Sequence, residues 1–229
     1  MNRDFLEIIG SPLISNKLII SIMDILPNQI YHIYNQGNNR GKIFFIRENY
    51  LYFLRKIQVH ICPFADILAW CLMPNHFHLI VSIRSMTQID QENYPYDIIF
   101  EEFNRLKFTN SLASMLRSYT RAINIQEKHT GALFRERTKA ICLGSVEAEI
   151  LKCKERCIKG SEQMPDFNDD YLQTCFNYIH QNPVKVNLAK QSIDWEFSSA
   201  REILGIGSSK LVNKKMVEEL GLQFVLVSG

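Results

Sequence analysis

Hydrophobic and polar positions change period several times along this chain, and each change marks an element. Gln29 to Gln36 (QIYHIYNQ) is rich in Ile and Tyr and stops at Gly37-Asn38-Asn39, a turn signal, so a first strand is predicted there. Leu51, Leu54, Ile57 and Ile61 recur at helical spacing, which predicts a helix over 49–62. Ala65 to Met73 is an apolar run suited to a strand buried on both faces. Met73-Pro74-Asn75 reads as a turn, and His76 to Ile83 (HFHLIVSI) as the returning strand of a hairpin.

The polar segment 84–97, with Pro95, reads as a loop. Ile98 to Glu127 contains no Pro or Gly and predicts a long helix closed by Thr130-Gly131, and Leu133 to Leu143 (LFRERTKAICL) resembles a fourth strand. Residues 144–166 are charged and read as an insertion with some helix. Asp166 or Asn168 is placed to cap a further helix, which Pro183 is expected to stop at Asn182. A short helix is expected over 197–204. The order β-α-β-β-α-β predicts an α+β, ferredoxin-like (split βαβ) antiparallel sheet with helices on one face, followed by a C-terminal helix. The division is an extension over 1–28, a domain over 29–205, and a tail over 206–229.

Composition narrows the classes. Hydrophobic residues are 46% of 229, enough for a sizeable core, and no run of about 18 uninterrupted apolar residues predicts a membrane span. The six cysteines include no CxxC pair, so free thiols in a reducing cytoplasm is the expectation. Net charge is only +2. From Arg105 to Lys159, however, twelve Lys or Arg face five Glu and no Asp, a local bias able to follow phosphates. Such a run is more often a solvated helix surface and decides nothing alone.

Strand periodicity gives the chemistry. Along HFHLIVSI, Phe77, Leu79, Val81 and Ile83 form one unbroken apolar face, while His76, His78, Ile80 and Ser82 form the other. Two imidazoles side by side can chelate one cation. An isolated His-x-His is more often a pair of half-exposed strand histidines, so a second piece is needed. Tyr178-Ile179-His180-Gln181-Asn182-Pro183 supplies it. Leu172, Cys175, Phe176 and Ile179 make a buried helical stripe, and Tyr178 and Asn182 stack at i, i+4 along its edge. Asn182 offers a hard oxygen donor. Tyr119 is a rival phenol, with Asn124 five residues on, a poorer stacking distance.

The two pieces together resemble the HUH-type single-tyrosine transposases, in particular the REP-associated tyrosine transposase branch. The resemblance runs from about Tyr31 to Gly205 through YHIYNQGNNRGKIF (31–44), AWCLMPNHFHLIV (69–81), TGALFRERTKA (130–140), YIHQNPVKVNL (178–188) and WEFSSAREILG (195–205). The Pro-Asn-led HFH combined with YIHQNPVK is the specific part. The resemblance implies that His76, His78 and Asn182 hold a divalent metal, Mg²⁺ or Mn²⁺, and that Tyr178 is the nucleophile. It implies a metal-dependent cut in single-stranded DNA beside a hairpin (REP-like) sequence, through a 5′-phosphotyrosine, and it allows a homodimer or a monomer. The insertion at 144–166 and residues 1–28 depart from the family pattern.

Arg135, Arg137 and Lys139 alternate along the expected fourth strand, a basic row able to contact phosphates or simply a solvent-facing edge. Asn39 and Arg40 after the first strand are candidate DNA contacts, as a plain turn would also explain. Tyr31, Tyr34, Phe44 and Phe45 offer stacking surfaces but fit a core equally well. The alternative function is a non-catalytic hairpin-binding module on the same fold, since ferredoxin-like sheets commonly bind nucleic acid.

Overall fold

The computed structural model describes residues 25–84, 97–159, 171–207 and 209–226. Of the loop expected over 84–97, residues 85–96 lie outside them, as do residues 1–24 and the capping roles of Asp166 and Asn168, while Asp97 already begins the next helix. The elements run β1 (Gln29–Gln36), α1 (Arg47–His60), β2 (Ala65–Met73), β3 (His76–Ile83), α2 (Asp97–Glu127), β4 (Lys139–Ser145), α3 (Val146–Lys159), α4 (Tyr171–Lys185), α5 (Ala200–Ile203) and α6 (Lys214–Glu219). The four strands form one antiparallel sheet in the order β2-β3-β1-β4. This is the α+β, ferredoxin-like arrangement.

Central β3 shows why the sheet has two different faces. Phe77 packs 5.1 Å from Phe53 of α1, which meets Tyr119 of α2 edge-on at 4.9 Å, so the apolar face of β3 lies under α1 and α2. The histidine face lies under α4, whose buried stripe is Leu172, Cys175, Phe176 and Ile179, as its spacing predicted. Every β3 residue except His76 is buried.

The outer edge of β2 is covered by later chain. Leu72 donates to the Phe197 carbonyl, Ser199 to that of Trp70 and Asn213 to that of Ile67. These bonds occupy groups that a free edge would leave open to another strand. Beyond residue 205, Val212, Val217, Leu220 and Leu222 are buried against the same core.

The fourth strand begins six residues later than the sequence pattern suggested. Asn35 of β1 donates from Nδ2 to the Arg135 carbonyl (3.2 Å) and to Thr138 Oγ1 (2.9 Å). Phe134 still bridges to Gly37, and Arg135 N still donates to the Gln36 carbonyl. The Asn35 side chain takes the next acceptors in place of a ladder, and regular pairing starts only at Lys139 opposite Tyr34. The charged segment after it continues β4 to Ser145 and then forms α3.

Helix α4 also departs from expectation, because it runs through Pro183 to Lys185. Proline's fixed φ suits a helix and forfeits one backbone bond. Asn187, at φ +56°, ends the helix instead, with bonds from Asn187 N to the Val184 carbonyl and Leu188 N to the Pro183 carbonyl closing the turn.

Candidate metal and nucleophile site

His76 and His78 project from the same face of β3 with ring centroids 5.0 Å apart. Each has its Nδ1 already engaged. His76 Nδ1 lies 2.6 Å from Asn75 Oδ1. An amide oxygen can only accept, so the His76 proton sits on Nδ1 and Nε2 carries an unprotonated lone pair. His78 Nδ1 lies 2.9 Å from Nε2 of His32, which reaches across from β1. Either ring can donate in that pair. Only the form with the proton on His78 Nδ1 leaves the His78 Nε2 lone pair available to an ion.

That nitrogen is the telling atom. His78 Nε2 is buried and has no hydrogen-bond partner among the described residues. Leaving a buried polar group unsatisfied costs about 1–3 kcal/mol, which a cation would offset. Protonation is a poor alternative. Burial holds His78 well below the usual histidine range, with smaller contributions from His32 and His76. Burial alone lowers His76 and brings His32 to about 4. At neutral pH all three rings are neutral, the form that ligates metals.

Helix α4 completes the cluster from above. Asn182 is buried, with Nδ2 3.4 Å from His76 Nε2. A half-turn of its amide exchanges nitrogen for oxygen and converts that contact into an oxygen donor beside the imidazole. Among the described residues no three His, Cys, Asp or Glu side chains gather to hold a metal ion. A divalent cation here would therefore take two imidazoles and one neutral amide, leaving further positions to water or phosphate. Such a donor set fits metals that bind imidazole and oxygen together.

Tyr178, one turn before Asn182, meets the His78 ring edge-on at 5.6 Å between centroids. Tyr178 is 41% exposed, so it is open to solvent. Lys185 Nζ lies 4.9 Å from the Tyr178 ring centroid. The spacing 178, 182, 185 is one helical face. His180 points elsewhere, its Nε2 2.8 Å from Ser199 Oγ.

The rival phenol is placed very differently. Tyr119 is fully buried, donates its hydroxyl to the Ile43 carbonyl at 2.8 Å, and is held protonated chiefly by that burial. Tyr31 and Phe44 are core residues, whereas Tyr34 stacks on His32 at 4.8 Å beside the histidine cluster.

The expected basic row on the fourth strand requires correction. Arg135 and Arg137 are exposed but precede β4, and only Lys139 lies on it. Asn39 and Arg40 are exposed in a short 3-10 turn, with φ of +52° and +59°. Asn75 Nδ2 reaches the Arg40 carbonyl (3.4 Å), so the residue that orients His76 also holds this turn.

Three contributors were not singled out from sequence: His32, Asn75 and Lys185. Alternation in QIYHIYNQ puts His32 and Tyr34 on one face. Knowing that β1 pairs with β3, and in which register, was needed to join that face to His78.

No family model matches this chain. No characterised protein matches it by sequence. One solved structure is similar to it: a REP-associated tyrosine transposase bound to a REP hairpin. The TM-score is 0.47 and the identity 14%, covering 82% of this chain and 93% of that one. Similarity at that level leaves the functional argument to the residues themselves. Among the described residues no helix is long and apolar enough to cross a membrane.

Proposed function

We propose that this protein is a metal-dependent single-stranded DNA endonuclease and strand transferase that forms a 5′-phosphotyrosine at Tyr178. One observation carries the reading. Two imidazoles whose Nδ1 atoms are already engaged, a buried amide and an exposed phenol, from elements far apart in sequence, meet on one sheet face.

His76, His78 and Asn182 would hold the cation, which when bound supplies Lewis-acid polarisation of a phosphate and offsets charge in the transition state. The chain's own groups do the rest. Tyr178 presents its hydroxyl to the phosphorus; the Oη–P bond forms as the P–O3′ bond breaks. The phenolic proton passes to solvent, and the departing 3′ oxygen takes one up. Lys185 brings a positive charge beside the nucleophile and the phosphate. Because the phosphoester is conserved in the phosphotyrosine, a later 3′-hydroxyl can reverse the step without ATP.

Covalent trapping tests this. Incubated with Mg²⁺ or Mn²⁺ and an end-labelled single-stranded oligonucleotide carrying a hairpin, the chain is expected to give a denaturant-resistant adduct that does not form when a chelator is present from the start. Binding without any adduct would assign a non-catalytic hairpin-binding module instead.

A further inference from the structure

On the sheet face opposite the histidines, at the same end of the sheet, a groove of about 1370 Å³ opens between the C-terminal half of α2 and the segment 128–138. Its wall and floor are apolar. Leu116 and Phe134 are nearly buried, Leu133 is half-buried, and Ile125 is left 70% exposed to water. Its rim carries Arg117, Arg121, Lys128 and Arg135, all exposed, and among the described residues none of the four is in an ion pair. Glu136 is the one carboxylate on the described lining.

We infer that this groove binds unpaired nucleotides of a DNA strand, with phosphates on the cationic rim and bases on the apolar floor. The inference rests on the proposed DNA-cleaving function and adds where the strand lies. Charge complementarity selects a polyanion. The floor selects the kind of polyanion, because a duplex keeps its base faces stacked inside and shows only base edges in its grooves, whereas unpaired bases can lay their faces on apolar side chains. The turn 37–41 connects the groove to the histidine cluster. Asn38 N donates to the Leu133 carbonyl at the groove, and Gly37 N donates to the Asn75 carbonyl beside His76. A strand leaving the groove over exposed Asn39 and Arg40 would arrive at the site.

Fluorescence anisotropy on the full chain tests this, using a single-stranded oligonucleotide and a blunt duplex of the same sequence over a salt series. The variant Arg121→Gln with Lys128→Gln is compared with Lys214→Gln plus Lys215→Gln, an equal charge loss on α6. All four positions are solvent-exposed, and circular dichroism checks the fold. The groove variant is expected to bind the single strand about tenfold or more weakly, with a salt slope shallower by roughly one per lost contact. The α6 variant and duplex binding should change little. Equal loss for both oligonucleotides, equal loss in both variants, or no loss overturns the assignment. So does a wild-type chain that fails to bind the single strand. Adduct formation with unchanged groove-variant binding would overturn the groove alone; groove-dependent binding without an adduct would overturn the nuclease reading alone.

Discussion

The Nε2 of His32 lies 2.9 Å from the Nδ1 of His78, and the two rings stack with centroids 5.0 Å apart. This pairing leaves His78 Nε2 without a hydrogen-bond partner among the described residues, and under the proposed function it makes His32 of β1 a positioning residue for a metal-binding imidazole of β3. Partners of this kind fix tautomer and ring orientation, and their loss typically costs 10–100-fold in metal affinity.

His32→Ala should therefore weaken Mn²⁺ binding by about 10–100-fold, read by isothermal titration calorimetry. Nitrogen-15 NMR of the metal-free protein should show His78 protonated at Nδ1 in the wild type and shifted towards Nε2 protonation in the variant. His32→Gln, whose amide oxygen can accept the same proton, should recover part of the affinity. A His78 tautomer indifferent to residue 32 would exclude the positioning role.

Tyr119→Phe separates the two phenols. The buried hydroxyl bonds the Ile43 carbonyl, so its removal should cost about 1–2 kcal/mol of stability in urea denaturation. Covalent adduct formation should continue at conditions where the variant is folded. Loss of the adduct from a folded Tyr119→Phe protein would count against Tyr178.

Acid should destabilise the fold in a window set by buried histidines. Burial lowers His32 and His180 to about 4 from an ordinary value of 6.5. Between those values the unfolded chain binds protons that the native chain does not, so stability falls as pH drops from about 6.5 towards 4. The loss reaches about 3 kcal/mol for each ring. Asp66, held below the usual carboxylate range chiefly by its hydrogen bond from Arg84, adds its own loss at lower pH. Urea midpoints measured between pH 7 and 5 isolate the histidines. A flat midpoint across that interval would contradict their neutral burial.

Much of this was legible in the sequence because two periods carried it. Alternation along HFHLIVSI set the two faces of β3, and the 172, 175, 176, 179 stripe oriented α4 so that Tyr178 and Asn182 share an edge. What stayed hidden depends on tertiary pairing. Asn35 capturing the Arg135 carbonyl and Thr138 shortens β4, and no local pattern in LFRERTKAICL announces a side chain arriving from β1. Pro183 looked like a stop because its rule is local, whereas the left-handed Asn187 makes the actual end. His32 needed the β1–β3 register before it could be joined to His78.

Mass spectrometry of the trapped adduct tests the central claim most directly. Protease digestion after reaction with a short single-stranded oligonucleotide and Mn²⁺ should yield one modified peptide, with the nucleotide phosphate on Tyr178 and none in the Tyr178→Phe protein. A phosphonucleotide on any other residue, or an adduct that survives Tyr178→Phe, would contradict the account.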